Sequence, residues 1–170
     1  MNNEQTDVKL KMQDTLSLID DTVKSMRRIA SMLRPSMLDD LGLLATIEWQ
    51  SEEFEKRYQI QSVIRCNKTQ LDLKKEQATA IFRIFQEGLT NVAKHSGASM
   101  VQTIINVEEQ QLQLIISDNG LGMESSKKNG RQTLGLLGIE ERVTMLGGHF
   151  EILSEFQNGT TLLVKIPIVT

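Results

Sequence analysis

The stretch Leu112-Gln-Leu-Ile-Ile-Ser-Asp-Asn-Gly-Leu-Gly122 alternates apolar residues at Leu112, Leu114 and Ile116, then breaks into an Asp-Asn-Gly turn. Alternation of period two marks a strand with one buried face. The residues that stop it carry chemistry. Asp118 places a carboxylate at the strand end, where it can accept a hydrogen bond from an exocyclic amine. Gly120 and Gly122 let the backbone turn tightly and approach a planar ligand. Read alone, Asn-Gly is also an ordinary hairpin turn, so the assignment rests on what surrounds it.

About thirty residues upstream, Lys74–Lys94 has helical periodicity, with Ile81, Ile84, Phe85, Gly88, Leu89 and Val92 on one stripe. Beside that stripe Glu87, Asn91 and Lys94 are four and three apart, and His95 follows at the helix end. A carboxylate, an amide and a cation suit magnesium and phosphates. Magnesium takes hard oxygen ligands, and one or two protein groups suffice when phosphates supply the others. Asn91 can give its amide oxygen, and Glu87 can orient a metal-bound water or act as a base. The Glu-x-x-x-Asn spacing alone describes many solvated helix faces. Downstream, Gly135-Leu-Leu-Gly138 opens a helix read from about Leu137 to Leu146, and backbone amides at a helix start attract phosphate.

The remaining pattern predicts strands over Gln59–Asn67, Val101–Val107, His149–Ser154 and Thr161–Pro167, with a hairpin turn at Glu108–Gln111. Residues 124–133 are polar and read as a loop. In the first third, Met12, Leu16, Ile19, Val23, Met26, Ala30 and Leu33 form a narrow seam at coiled-coil period, as in a bundle or dimer helix. Pro35 closes it, because proline disfavours helical geometry at Arg34. Periodicity resumes with Leu44, Ile47, Phe54 and Tyr58, and Trp49 is placed at an edge. The expected class is α+β, a two-layer sheet covered on one face and preceded by a long N-terminal helix. The expected units are a helix over 1–34, a hinge over 35–42 and a domain over 43–170.

Composition excludes several functions. A net charge of −3 and 4% aromatic residues argue against a nucleic-acid coat or a single-strand stacking platform. The lone Cys66 cannot form an internal disulfide and reads as a packed thiol in a reducing compartment. No apolar run approaches the ~20 residues needed to cross a bilayer, so no membrane contact is expected of this chain. A membrane anchor in a longer parent protein stays open.

Taken in order, these elements resemble the boxes of the GHKL ATPase superfamily, and within it the catalytic domain of two-component sensor histidine kinases. Phe85-Gln-Glu-Gly-Leu-Thr-Asn-Val-Ala-Lys-His-Ser-Gly-Ala-Ser99 resembles the asparagine box. Asp118–Met123 resembles the first glycine box, Gly135–Val143 the second, and Asn158–Leu162 with Ile166-Pro167 the closing strand. The seam helix and Leu33-Arg-Pro-Ser-Met-Leu-Asp-Asp-Leu-Gly-Leu43 are similar to the nitrate-sensor and desaturase-sensor type. The resemblance implies a Bergerat-type fold that binds ATP and magnesium. It implies that Asp118 binds the adenine amino group, Asn91 holds magnesium, and Glu87 is the general base or polarises a ligand. Lys94 and His95 would approach phosphates or ribose, Gly135 and Gly138 would border a lid over 123–134, and Thr160 would support Asp118. Thr133 stands where the family's second box has its first glycine.

The same resemblance calls for a phosphoacceptor histidine on the first helix of a dimerisation hairpin, followed by an acidic residue. Only His95 and His149 exist here, and neither has that setting. The chain therefore reads as a kinase cut between the two hairpin helices, with residues 7–33 resembling the second. It is expected to bind magnesium-ATP, not to phosphorylate itself, and to self-associate through residues 12–33. The implied partners are the parent kinase's acceptor helix, a response-regulator receiver domain and a second copy, in the cytoplasm. Competing readings are an anti-sigma-factor-type serine kinase and a non-catalytic dimerisation module with a decayed site.

Overall fold

A computed structural model describes residues 36–122 and 134–168 of the chain. The seam helix, the unit over 1–34 and nearly all of the expected lid lie outside the described residues.

Among the described residues two helices come first, α1 over Ser36–Asp40 and α2 over Gly42–Tyr58, so most of the expected hinge is itself helical. Strand β1 (Gln61–Cys66) follows, then α3 (Lys75–Asn91), which continues into a π-helical turn over Val92–Ser96. Strands β2 (Met100–Glu108) and β3 (Gln111–Asp118) form a hairpin. Helix α4 (Leu134–Met145) precedes a second hairpin of β4 (His149–Ser154) and β5 (Thr160–Pro167).

The five strands make one mixed sheet in the order β1-β2-β3-β5-β4. The pairing of β1 with β2 is parallel and the other three pairings are antiparallel. The parallel pair follows from the crossover: α3 lies between β1 and β2 in sequence, and a helix returns the chain to the same end of a sheet. The hairpin between β2 and β3 turns on Glu109 and Gln110, both at positive φ (44° and 70°), a two-residue loop of the primed kind without glycine or asparagine.

Alternation decides which sheet face is covered. Val101 and Ile105 of β2, Leu112, Leu114 and Ile116 of β3, and Leu162, Val164 and Ile166 of β5 are buried against the helices. Helix α3 supplies the matching stripe, with Ile81, Phe82, Ile84 and Phe85 at 0% exposure. Each such side chain contributes about 1.5–3 kcal/mol of burial. Helix α2 adds Leu43, Ile47 and Phe54, and α4 adds Ile139 and Val143. Trp49 lies exposed. One covered face thus carries α3 and α4 across the strands that end near Asp118.

Candidate nucleotide site

Asp118 is the last residue of β3, in register with Val101 of β2 and Thr160 of β5. Its Oδ1 accepts the N–H of Gly120 at 2.8 Å, and the N–H of Thr160 also donates to the carboxylate. Burial pushes the carboxyl pKa above its ordinary value; the two N–H donors pull it down, and burial prevails. The Thr160 hydroxyl pairs instead with Ser154 Oγ at 3.0 Å, so the contact to Asp118 comes from the Thr160 main chain. A half-buried carboxylate with two fixed donors keeps lone pairs for a donor on a ligand.

The turn after Asp118 is clasped from both sides. Asn119 Oδ1 accepts the N–H groups of Ser99 and Met100 at 3.0 Å each, stapling the turn to the start of β2. Leu121 N–H donates to Ser96 O at 2.8 Å, and Gln157 N–H donates to Leu121 O at 2.7 Å. Gly122 (φ 65°) and Gly159 (φ 76°) sit back to back: a Cβ on Gly122 would overlap Glu155 O, and one on Gly159 would overlap Asp118 O. Only glycine fits both the φ and the approach.

On α3, Glu87 and Asn91 lie one turn apart, both half-buried. Gly135, in the first turn of α4, meets them: a Cβ there would overlap Glu87 Oε1 and stand 3.5 Å from Asn91 Oδ1. Asn91 Nδ2 is buried with no hydrogen-bond partner. The α-helical register behind the four-three spacing ends at Asn91, because the next turn is π-helical. Lys94 and His95 are exposed on that wider turn. Ser96 closes it: its Oγ donates to Val92 O at 2.7 Å and accepts Ala98 N–H at 3.0 Å. A π turn inside a helix recurs at functional sites.

The structure therefore gathers the sequence-derived residues into two groups. Gly135 lies against Glu87 and beside Asn91. Asp118, Gly120, Gly122 and Thr160 form the second group, which rests on Ser96 and Gly97 at the end of the π turn. Gly138 lies one helical turn beyond Gly135, and the Arg142 guanidinium donates to its carbonyl. Three residues escaped the sequence reading. Asn119 and Ser96 shape the turn through main-chain bonds that no spacing announces. Arg142 faces Arg83 across α3 and α4, and burial together with that facing charge lowers the Arg83 pKa. Arg83 stands one turn before Glu87, and its guanidinium donates to Gln86 Oε1 at 3.0 Å.

The donor set fits a magnesium-bound nucleotide. Among the described residues no group of three His, Cys, Asp or Glu side chains could hold a metal alone. A hard cation here would draw ligands from phosphates and the Asn91 amide oxygen, while the buried Asn91 Nδ2, a donor without a partner, is left for an acceptor such as a phosphate oxygen.

Residues 76–170 match the family of histidine kinase-, DNA gyrase B- and HSP90-like ATPases. The chain belongs to this family. As a family member it is an ATP-binding domain, and its matched region runs from the start of α3 through β5. The chain is 32% identical over 163 residues to the sensor histidine kinase MctS of Rhizobium johnstonii, covering 95% of this chain and 35% of that one. It is 32% identical over 160 residues to the histidine-protein kinase/phosphatase DegS of Brevibacillus brevis, covering 94% and 41%. The oxygen sensor histidine kinase NreB of Staphylococcus carnosus is 30% identical over 176 residues, covering 95% and 51%. The chain thus spans 35% to 51% of the length of these relatives. The histidine kinase domain of the Erythrobacter litoralis EL346 blue-light activated kinase shares the fold, with a TM-score of 0.64 at 22% identity over 73% of this chain and 60% of that one. The catalytic domain of histidine kinase ThkA has a TM-score of 0.62 at 16% identity, covering 74% and 90%. No helix among the described residues is long and apolar enough to cross a membrane.

Proposed function

We propose that this chain is the ATP-binding catalytic part of a two-component sensor histidine kinase, transferring the γ-phosphoryl group to a histidine on a separate helix of the parent protein. The observation that carries the reading is the junction of Glu87 and Asn91 with Gly135 in a chain of this ATPase family. The sensor histidine kinases among its relatives supply the kind of acceptor.

In this reading Asp118 accepts the adenine amino proton, its carboxylate held in place by the Gly120 and Thr160 N–H groups. Gly120 and Gly122 let the backbone close on the base. Asn91 gives its amide oxygen to magnesium, which when bound neutralises phosphate charge. Lys94 and His95, exposed on the π turn, reach phosphates or ribose. Gly135 and Gly138 set the start of α4 against the phosphates. Glu87 takes the proton from the acceptor imidazole as the nitrogen attacks. Transfer needs no covalent nucleophile in this site; positioning and charge neutralisation carry it. The parent works as a cytoplasmic homodimer and passes the phosphoryl group to a response-regulator receiver domain.

The test supplies the acceptor in trans. The chain is mixed with the separately produced first hairpin helix of its parent and γ-labelled ATP. Acid-labile, base-stable label on that helix, lost in Glu87→Gln, is the expected result. Label on serine of a partner protein, or none on the helix while ATP still binds, overturns the assignment.

A further inference from the structure

The sheet face that carries no helix among the described residues is also patterned. Register places Arg65, Ile104, Ile115, Leu163 and Glu151 in one row across all five strands, from one edge to the other. The row is positive at the β1 edge, apolar over three central strands, and negative at the β4 edge. Arg65 and Glu151 are exposed, and the three apolar residues between them are partly exposed and belong to no part of the core. The neighbouring row runs Val63, Gln102, Ser117, Thr161, Leu153, apolar at both edges and polar in the middle.

We propose that this face docks a second copy of the same chain, sheet against sheet, about a two-fold axis parallel to the strands. That operation reverses each row onto itself. Arg65 then meets the second copy's Glu151 at both ends, Ile104 meets Leu163, Val63 meets Leu153, and Ile115 meets its own equivalent. Aligned sheets pack ~10 Å apart with interdigitating side chains, which this row supplies. The alternative two-fold, along the rows, sets Arg65 on Arg65 and Glu151 on Glu151 and is repelled. An isologous interface requires this kind of self-complementarity. The proposal does not rest on the nucleotide reading, because α3 and α4 lie on the opposite face.

The test uses the full chain with Cys66→Ala, so that installed thiols are the only ones. Ile115→Cys, treated with a short bis-maleimide, is expected to give covalent dimer. Arg65→Cys alone is expected to give little, while an equimolar mixture of Arg65→Cys and Glu151→Cys chains cross-links as a heterodimer. In sedimentation equilibrium, Arg65→Glu weakens this association about tenfold, and Arg65→Glu with Glu151→Arg restores it. Both positions are exposed, so neither change reaches the core. No cross-link at Ile115→Cys overturns the proposal, whether the chain is monomeric, paired through residues 12–33 alone, or covered here by another segment of its parent. Equal cross-linking by Arg65→Cys alone and by the mixture overturns the stated axis.

Discussion

The Gly135 main chain lies against the Glu87 carboxylate so closely that a methyl group on Gly135 would overlap Glu87 Oε1. The first turn of α4 thus packs directly on the middle of α3, and Glu87 has room there only because Gly135 has no side chain. Gly135→Ala is expected to push the Glu87 carboxylate aside. A misplacement of this size costs about tenfold to a hundredfold in phosphoryl transfer. Measured with the acceptor helix in trans, the rate should fall while ADP affinity changes much less.

Asn91 should couple nucleotide to magnesium. Titrating ADP with magnesium and then with EDTA should separate two affinities for the unchanged chain. Asn91→Ala should bring them together, because the amide oxygen that the proposed reading gives to the cation is gone. A magnesium effect that survives the substitution would place the cation elsewhere.

Asp118 has a sign that can be worked through. Its folded pKa is raised, chiefly by burial, so the folded chain holds a proton more tightly than the unfolded chain. Folding then disfavours the ionised form, and stability falls as pH rises through the folded pKa. Asp118→Asn should therefore stabilise the nucleotide-free chain at neutral pH, and the gain should vanish below the carboxyl range. The same substitution should weaken ATP binding. Chemical denaturation at pH 7 and at pH 3 checks the first part, and calorimetry the second.

The hairpin between β2 and β3 puts Glu109 and Gln110 at positive φ, where side chains with a Cβ are disfavoured. Replacing the pair with Asn-Gly should stabilise the chain by about 1 kcal/mol, read from the urea midpoint, with nucleotide affinity unchanged.

The covered sheet face and α3 were legible in the sequence because periodicity records burial directly. Leu112, Leu114 and Ile116 alternate as the sheet requires, and Ile81, Ile84, Phe85 and Leu89 follow the helix period. The tight turn after Asp118 was legible because Gly120 and Gly122 stand where the backbone approaches too closely for a Cβ. The π turn at Val92–Ser96 was not, since one extra residue in a turn leaves no compositional mark. Nor was the Glu109-Gln110 turn, whose residues carry none of the usual turn chemistry. The parallel pairing of β1 depends on where α3 packs, which is a tertiary fact. The Thr160 contribution to Asp118 comes through its N–H, and a sequence displays side chains, not main-chain donors.

The most direct measurement is calorimetric titration of the chain with magnesium and a non-hydrolysable ATP analogue, beside Asp118→Ala. The account predicts saturable one-site binding that weakens by at least about tenfold in the variant, the cost of a lost hydrogen bond to a charged group. No saturable heat, or identical curves for both chains, would contradict it.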